Sequence, residues 1–167
     1  MAEPLPFETV YERFSANIHR FCLSQLRDPS AAEDVAAEVF ISAYAAYGRA
    51  HPPPDAVLYW LLRIAKNQVI DHQRRSARWR TILTTLRREP QQVSDVEAVA
   101  DVNETMRTVL IAMQTLPPRD RLLVGLRYAA DLPFDEIGQL TGMSSRAAAM
   151  ATYRAMERLR GQAGDAL

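Results

Sequence analysis

The sequence predicts an all-α fold, and three observations predict it. Apolar residues recur at helical spacing in every long segment. No stretch alternates apolar and polar residues with the period of a strand. Prolines and glycines fall mainly between the periodic segments, where they act as punctuation. The architecture expected is two small helical domains, an N-terminal helical bundle (residues 1–79) and a C-terminal four-helix domain with a helix-turn-helix (residues 103–167). A flexible linker, residues 80–102, is expected between them.

The first helix covers Phe7 to Leu26, where Val10, Phe14, Ile18, Phe21 and Cys22 share one face. Asp28-Pro29-Ser30 interrupts it, and Pro29 or Ser30 opens the next helix. That helix is expected from about Ala31 to Tyr47, with Gly48 ending it. His51-Pro52-Pro53-Pro54-Asp55 then makes a stiff loop. A basic helix follows from about Ala56 to Arg75 or slightly beyond. The stretch from Arg80 to Val102 is weakly periodic and holds Pro90, so at most short helical pieces are expected there.

The second helical unit starts near Asn103, with Met106, Val109, Leu110, Met113 and Leu116 as its apolar stripe. Pro117-Pro118 stops that helix. Asp120 to Tyr128 is another helix, and Asp131 to Pro133 turns the chain. Asp135 to Thr141, then Gly142-Met143-Ser144, then Ser145 to Arg160 fit helix, tight turn and helix. In that reading Ile137 and Leu140 point inward and Gly138 is small where two helices cross closely. Gly142 supplies a positive-φ turn, Met143 plugs the core and Ser144 is the N-cap.

Formal net charge is zero, so the molecule as a whole is not a polycation. The charge is nevertheless segregated. Between Arg63 and Arg88 eight cations face the single acid Asp71, whereas Glu89 to Glu104 contains five acids and no Lys or Arg. A basic stripe beside an acidic stretch suggests one surface for nucleic acid and another segment that avoids or mimics it. Cys22 is the sole cysteine, which leaves no intramolecular disulfide or cysteine-cluster zinc site. No signal peptide and no bilayer-spanning apolar run are visible, so the chain is expected to be cytoplasmic, without membrane insertion.

The basic helix carries most of the functional information. Leu58, Leu61, Leu62, Ala65 and Val69 form the stripe expected to bury. Broadly opposite lie Tyr59, Trp60, Arg63, Lys66, Asn67, Ile70 and Arg74. Cations for phosphates, an amide for base edges and rings for stacking are what a nucleic-acid reader needs. On the helix from Ala31 to Tyr47 the buried face is Val35, Ala36, Val39, Phe40, Ala43 and Tyr47. Its other face mixes Asp34, Ala37, Glu38, Ile41 and Ala45. An isoleucine among carboxylates suits a protein partner. The last helix presents Arg146, Ala149, Met150, Tyr153, Glu157 and Arg160 outward, flanked by Arg154 and Arg158. Ala149 and Met150 give it short reach for base reading.

These segments together resemble the extracytoplasmic-function (ECF) sigma factors of the sigma-70 family. Asp28 to Phe40 resembles the family's polymerase-binding helix, and Trp60 to His72 its promoter-melting and minus-ten-reading helix. Leu116 to Arg121, Phe134 to Ile137 and Gly142-Met143-Ser144 resemble its C-terminal domain. The resemblance implies a bacterial RNA polymerase subunit that directs promoter recognition and transcription initiation. It implies that Asp34, Ala37, Glu38 and Ile41 dock on the clamp helices of the polymerase largest subunit. It implies that Tyr59, Trp60, Arg63, Lys66, Asn67, Asp71, Arg74 and Arg75 face the minus-ten element of promoter DNA. The loop from Gly48 to Val57 would hold a flipped base, and the acidic linker would thread the enzyme's interior. Ser144, Arg146, Tyr153 and Arg154 would serve the minus-thirty-five element. Ala37 departs from a Gln usual in the family, and Ala149 and Ala151 from its common basic residues. Many relatives are held by an anti-sigma factor, which this composition neither requires nor excludes.

Two other readings use the same residues. One is a polymerase-independent helix-turn-helix regulator. The other is a sigma-like decoy that binds polymerase without initiating. An enzyme is not expected. His19, His51 and His72 are scattered, no triad, dyad or phosphate-cradling glycine loop is recognisable, and no cofactor is implied.

Overall fold

A computed structural model describes residues 2–86 and 104–164. Among the described residues the fold is helical throughout, with no strand. Helix α1 spans Phe7–Gln25, α2 Pro29–Ala50, α3 Val57–Thr85 and α4 Glu104–Thr115. Helix α5 spans Pro118–Val124 and runs into a π-helical turn, Gly125–Ala129. Then come α6, Phe134–Thr141, and α7, Ser145–Ala163.

Helices α1, α2 and α3 form the N-terminal bundle around Ile18, Phe21, Val35, Val39, Leu61 and Leu62, all essentially inaccessible to solvent. The start of α2 follows the expected chemistry: Pro29 takes the first turn and the Asp28 carboxylate accepts from the Ser30 N–H at 3.0 Å. Its end does not. Gly48 leaves the helix running to Ala50, and His51 takes the left-handed C-cap with φ 42°. One glycine costs a helix only about 1 kcal/mol, whereas Pro52 cannot continue it and restricts the residue before it.

Helix α3 runs ten residues past Arg75 and well into the expected linker. Nothing from Ser76 to Thr85 breaks a helix, and Thr81, Thr84 and Thr85 each donate a hydroxyl to the carbonyl four residues back. The rest of the expected linker, residues 87–102, lies outside the described residues.

In the C-terminal half α6 and α7 form the helix-turn-helix. Gly142 has φ 74°, as the turn requires. A Cβ on Gly138 would meet the Met143 carbonyl oxygen at 2.6 Å, so the crossing tolerates only glycine. Ser144 caps α7, its hydroxyl accepting from the Ala147 N–H at 3.1 Å. Two expectations fail. Met106 is half-exposed rather than core. The helix expected from Asp120 to Tyr128 widens at Gly125, where the Ala130 N–H reaches the Gly125 carbonyl at 3.0 Å.

The halves share one core. Phe21 and Cys22 of α1 belong to the same buried cluster as Leu123, Leu126, Leu132, Ile137 and Leu140. A smaller cluster ties α4 to α7 through Met113, Leu116, Ala155 and Leu159.

Candidate nucleic-acid interface

Arg63, Asn67, Asp71, Arg74 and Arg78 are all exposed and follow one another at intervals of three or four residues. They therefore form one strip along α3. Fifteen residues separate its ends, a length of roughly 22 Å at 1.5 Å per residue. That spans about six nucleotide steps at roughly 3.4 Å each. Arg75 is exposed on the flank of this strip. Arg78 was not among the sequence-derived site residues; its spacing, eleven from Asn67, was the signal that could have found it.

Three of the expected site residues sit differently. Trp60 has the phase of the strip, two turns before Asn67, yet it is only 8% exposed. The Tyr47 ring of α2 packs on the Trp60 ring with centres 5.9 Å apart, and Trp60 belongs to the buried core cluster. Helical phase gives the direction of a side chain but not what covers it. Tyr59 is half-buried. Lys66 turns toward the other half of the chain, its ammonium donating to the Leu140 carbonyl at 3.0 Å.

The exposed tryptophan is Trp79, at 63%. Ile82 and Leu86 are likewise exposed further along the chain, at 41% and 62%.

On α2 the sequence-derived partner face is open as expected. Asp34, Ala37, Glu38 and Ile41 are all exposed, Ile41 at 69%. Tyr44, at 70%, extends it by one turn and stands edge-on to Phe7 with ring centres 5.3 Å apart. An exposed isoleucine and tyrosine thus lie beside two exposed carboxylates on one face of α2.

On α7, Arg146, Tyr153 and Arg154 are exposed, and Ser144 lies at the helix start. Tyr153 is held edge-on to Phe134 at 5.6 Å, and the Arg127 guanidinium covers the Phe134 ring at 4.7 Å. The tyrosine is thus braced by a neighbouring ring while its outer edge stays open. Arg158 forms an ion pair with Asp120, which takes it out of the free cations of this face.

No helix among the described residues is long and apolar enough to cross a membrane. No group of three His, Cys, Asp or Glu among them is placed to hold a metal ion.

Comparison with known proteins gives concordant results. Residues 10–81 match the family described as Sigma-70 region 2, and residues 107–159 match Sigma-70, region 4. The chain is 30% identical to the RNA polymerase sigma factor CarQ of Myxococcus xanthus, over 95% of this chain and 90% of that protein. It is 26% identical to the ECF RNA polymerase sigma factor SigM of Bacillus subtilis, over 93% and 94% respectively. Among solved structures it resembles the sigma factor RpoE of Bartonella quintana, determined with the anti-sigma factor NepR. The TM-score is 0.76 at 17% identity, covering 93% of this chain and 95% of that one.

Proposed function

We propose roles for these faces on one premise: the chain belongs to the sigma-70 family and is an RNA polymerase sigma factor of the ECF type. The α2 face of Asp34, Ala37, Glu38 and Ile41 docks on the clamp helices of the polymerase largest subunit, with Tyr44 at its edge. The α3 strip reads and holds the non-template strand of the minus-ten element. Arg63, Arg74, Arg75 and Arg78 take phosphates, Asn67 and Asp71 meet base edges, and Lys66 joins them when released from Leu140. Helix α7 approaches the minus-thirty-five element through Arg146, Tyr153 and Arg154, beginning at Ser144.

The observation that carries this reading is the strip itself: cations, an amide and a carboxylate, all exposed, aligned over a length that matches about six nucleotides. Melting is a capture of unstacked bases. Each captured base contributes roughly 1–3 kcal/mol, against a mean stacking loss of about 1.4 kcal/mol per step. Two or three captured bases with their phosphates thus hold a small bubble open. Because Trp60 is buried, capture falls to Tyr59 and the loop from Gly48 to Val57.

The chain acts in the cytoplasm beside the polymerase and contributes no catalytic group of its own; the chemistry belongs to the core enzyme. An anti-sigma factor is a further partner of the kind seen with the Bartonella quintana protein. Electrophoretic mobility of an artificially opened DNA duplex with reconstituted holoenzyme tests the assignment. Holoenzyme should prefer the opened over the paired form, and equal binding of both would remove the α3 strip from the mechanism.

A further inference from the structure

Outside the seam between the two halves, the N-terminal bundle carries two exposed faces that mix charge with apolar surface. The first is on α2, where Asp34, Glu38, Ile41 and Tyr44 are exposed. The second is on the distal part of α3, where Arg75, Arg78, Trp79, Ile82 and the following Leu86 are exposed. Trp79, Ile82 and Leu86 fall three and four residues apart and so share one stripe, with Arg75 and Arg78 at its near end. Among the described residues Asp34, Glu38, Arg75 and Arg78 form no ion pair.

Two contacts fix how α3 lies against its neighbours. Tyr47 packs on Trp60, and Gln68 donates to the Ser42 hydroxyl at 3.1 Å, so α2 and α3 run in opposite directions. Ile82 lies fourteen residues after Gln68, and fourteen residues before Ser42 helix α2 has not yet begun. Helix α1 ends at Gln25, whose carbonyl accepts from the Gln73 amide at 3.3 Å. Past this level neither α1 nor α2 continues alongside α3.

The two faces complement each other group by group. Seven residues separate Asp34 from Ile41, and seven separate Arg75 from Ile82. Laid parallel in that register, Arg75 and Arg78 meet Asp34 and Glu38, Ile82 meets Ile41, and Leu86 comes beside Tyr44 and Ala45. One chain cannot make this match, because its own α2 and α3 are antiparallel. A two-fold axis perpendicular to the helices turns a second copy over. Its α3 then runs parallel to the first copy's α2, and both contacts form at once. Formal net charge is zero, so no long-range repulsion keeps copies apart. We infer that the occupant of these faces is a second copy of this chain, in a symmetric dimer that pairs each α2 face with the distal α3 of the other copy. The dimer covers the surfaces proposed for polymerase and promoter and is an idle store of the factor; that consequence, unlike the pairing, rests on the proposed reading of α2 and α3.

Sedimentation equilibrium of the full chain tests the pairing. The parent should show a monomer–dimer equilibrium that weakens as salt rises. Asp34→Arg with Glu38→Arg reverses one face, and Arg75→Glu with Arg78→Glu reverses the other. Each reversed chain alone should associate roughly tenfold or more weakly, since like charges then oppose at both contacts. An equimolar mixture of the two reversed chains should recover the dimer, because the mixed pair holds one native contact and one with both charges exchanged. Circular dichroism should match the parent throughout, since all four side chains are exposed.

A monomer at every concentration, or a dimer that both reversed chains keep, would overturn the pairing and leave the polymerase reading untouched. A mixture that stays monomeric would overturn the match between α2 and α3, and species larger than a dimer would overturn the two-fold arrangement. Core polymerase added to the parent dimer should release single copies bound to core. A dimer that stays intact on core polymerase would overturn the masking and count against the α2 docking face, while leaving the pairing measured.

Discussion

Lys66, the only lysine of the chain, donates its ammonium to the Leu140 carbonyl across 74 residues of sequence. The same side chain lies next to Asn67 on the helix that reads as the DNA-binding element. Under the proposed reading of α3, this cation has two competing acceptors, a helix end and a phosphate. Lys66→Gln should weaken single-strand binding less than Arg74→Ala does, because loss of one phosphate contact is partly offset by a looser seam. Fluorescence anisotropy of both variants on the same oligonucleotide decides it; a Lys66 variant that binds more weakly than the Arg74 variant contradicts the competition.

Asn67→Ala and Arg74→Ala should separate by salt. Both reduce promoter-dependent transcription while binding to core polymerase stays intact. Arg74→Ala should also lower the slope of log affinity against log salt by about 0.7 on single strands. Asn67→Ala should leave that slope unchanged. A salt titration of each variant with the same oligonucleotide distinguishes a phosphate contact from a base contact.

Ile41 tests the α2 face. Burying an isoleucine side chain stabilises a contact by roughly 1.5–3 kcal/mol, so Ile41→Asp should weaken core polymerase binding by roughly tenfold or more. Asp34→Ala with Glu38→Ala should weaken it too, by less per residue, since exposed charge pairs contribute about 0.2–1 kcal/mol each. Circular dichroism should be unchanged in both cases, because all three side chains are exposed. Unaltered affinity for core enzyme in the Ile41 variant would move the polymerase contact elsewhere.

The turn of the helix-turn-helix gives a stability prediction with a ranking. Ser144→Ala removes an N-cap worth about 1 kcal/mol, and for a chain of this length the melting temperature should fall by roughly 2–4 °C. Gly138→Ala drives a Cβ against the Met143 carbonyl, a backbone atom that cannot rotate away. Overpacking of this kind costs about 1–3 kcal/mol, so its loss should be the larger. Thermal unfolding of the two variants side by side measures the order.

Glu136 makes stability depend on pH. Its own burial, then Asp135 and Asp55, hold its carboxyl above the ordinary value of 4.5. A raised acid pKa means the folded chain binds the proton more tightly than the unfolded chain. The stabilisation is therefore full below 4.5 and is lost as pH rises through the raised value. Asp55 lies before α3 and Glu136 on α6, so the repulsion acts across the seam. Glu136→Gln should flatten the fall of the unfolding midpoint between mildly acidic and neutral pH; a variant with the parent's slope would place the titrating group elsewhere.

Much of this was legible in the sequence, for identifiable reasons. Helix existence followed from spacing, and the cap at Ser144, the turn at Gly142 and the crossing at Gly138 followed from chemistry local to a few residues. The open face of α2 was equally readable, since Asp34, Ala37, Glu38 and Ile41 oppose a continuous buried stripe. What failed depends on contacts distant in sequence. Trp60 has the right phase and is buried, with Tyr47 from another helix packed on its ring. Lys66 is turned away by a carbonyl 74 residues on. The π turn at Gly125 answers to α1, about a hundred residues earlier, and no local propensity announces it. The two helical domains were legible, but that Phe21 and Leu126 share one core, about a hundred residues apart, was not.

Run-off transcription with purified core polymerase and this chain on a genomic fragment library tests the central claim most directly. The account predicts transcripts that start at a small set of discrete sites and vanish when either the α2 face or the α3 strip is altered. A chain that binds core polymerase firmly yet starts no transcript on any fragment would contradict it and favour a sequestering decoy.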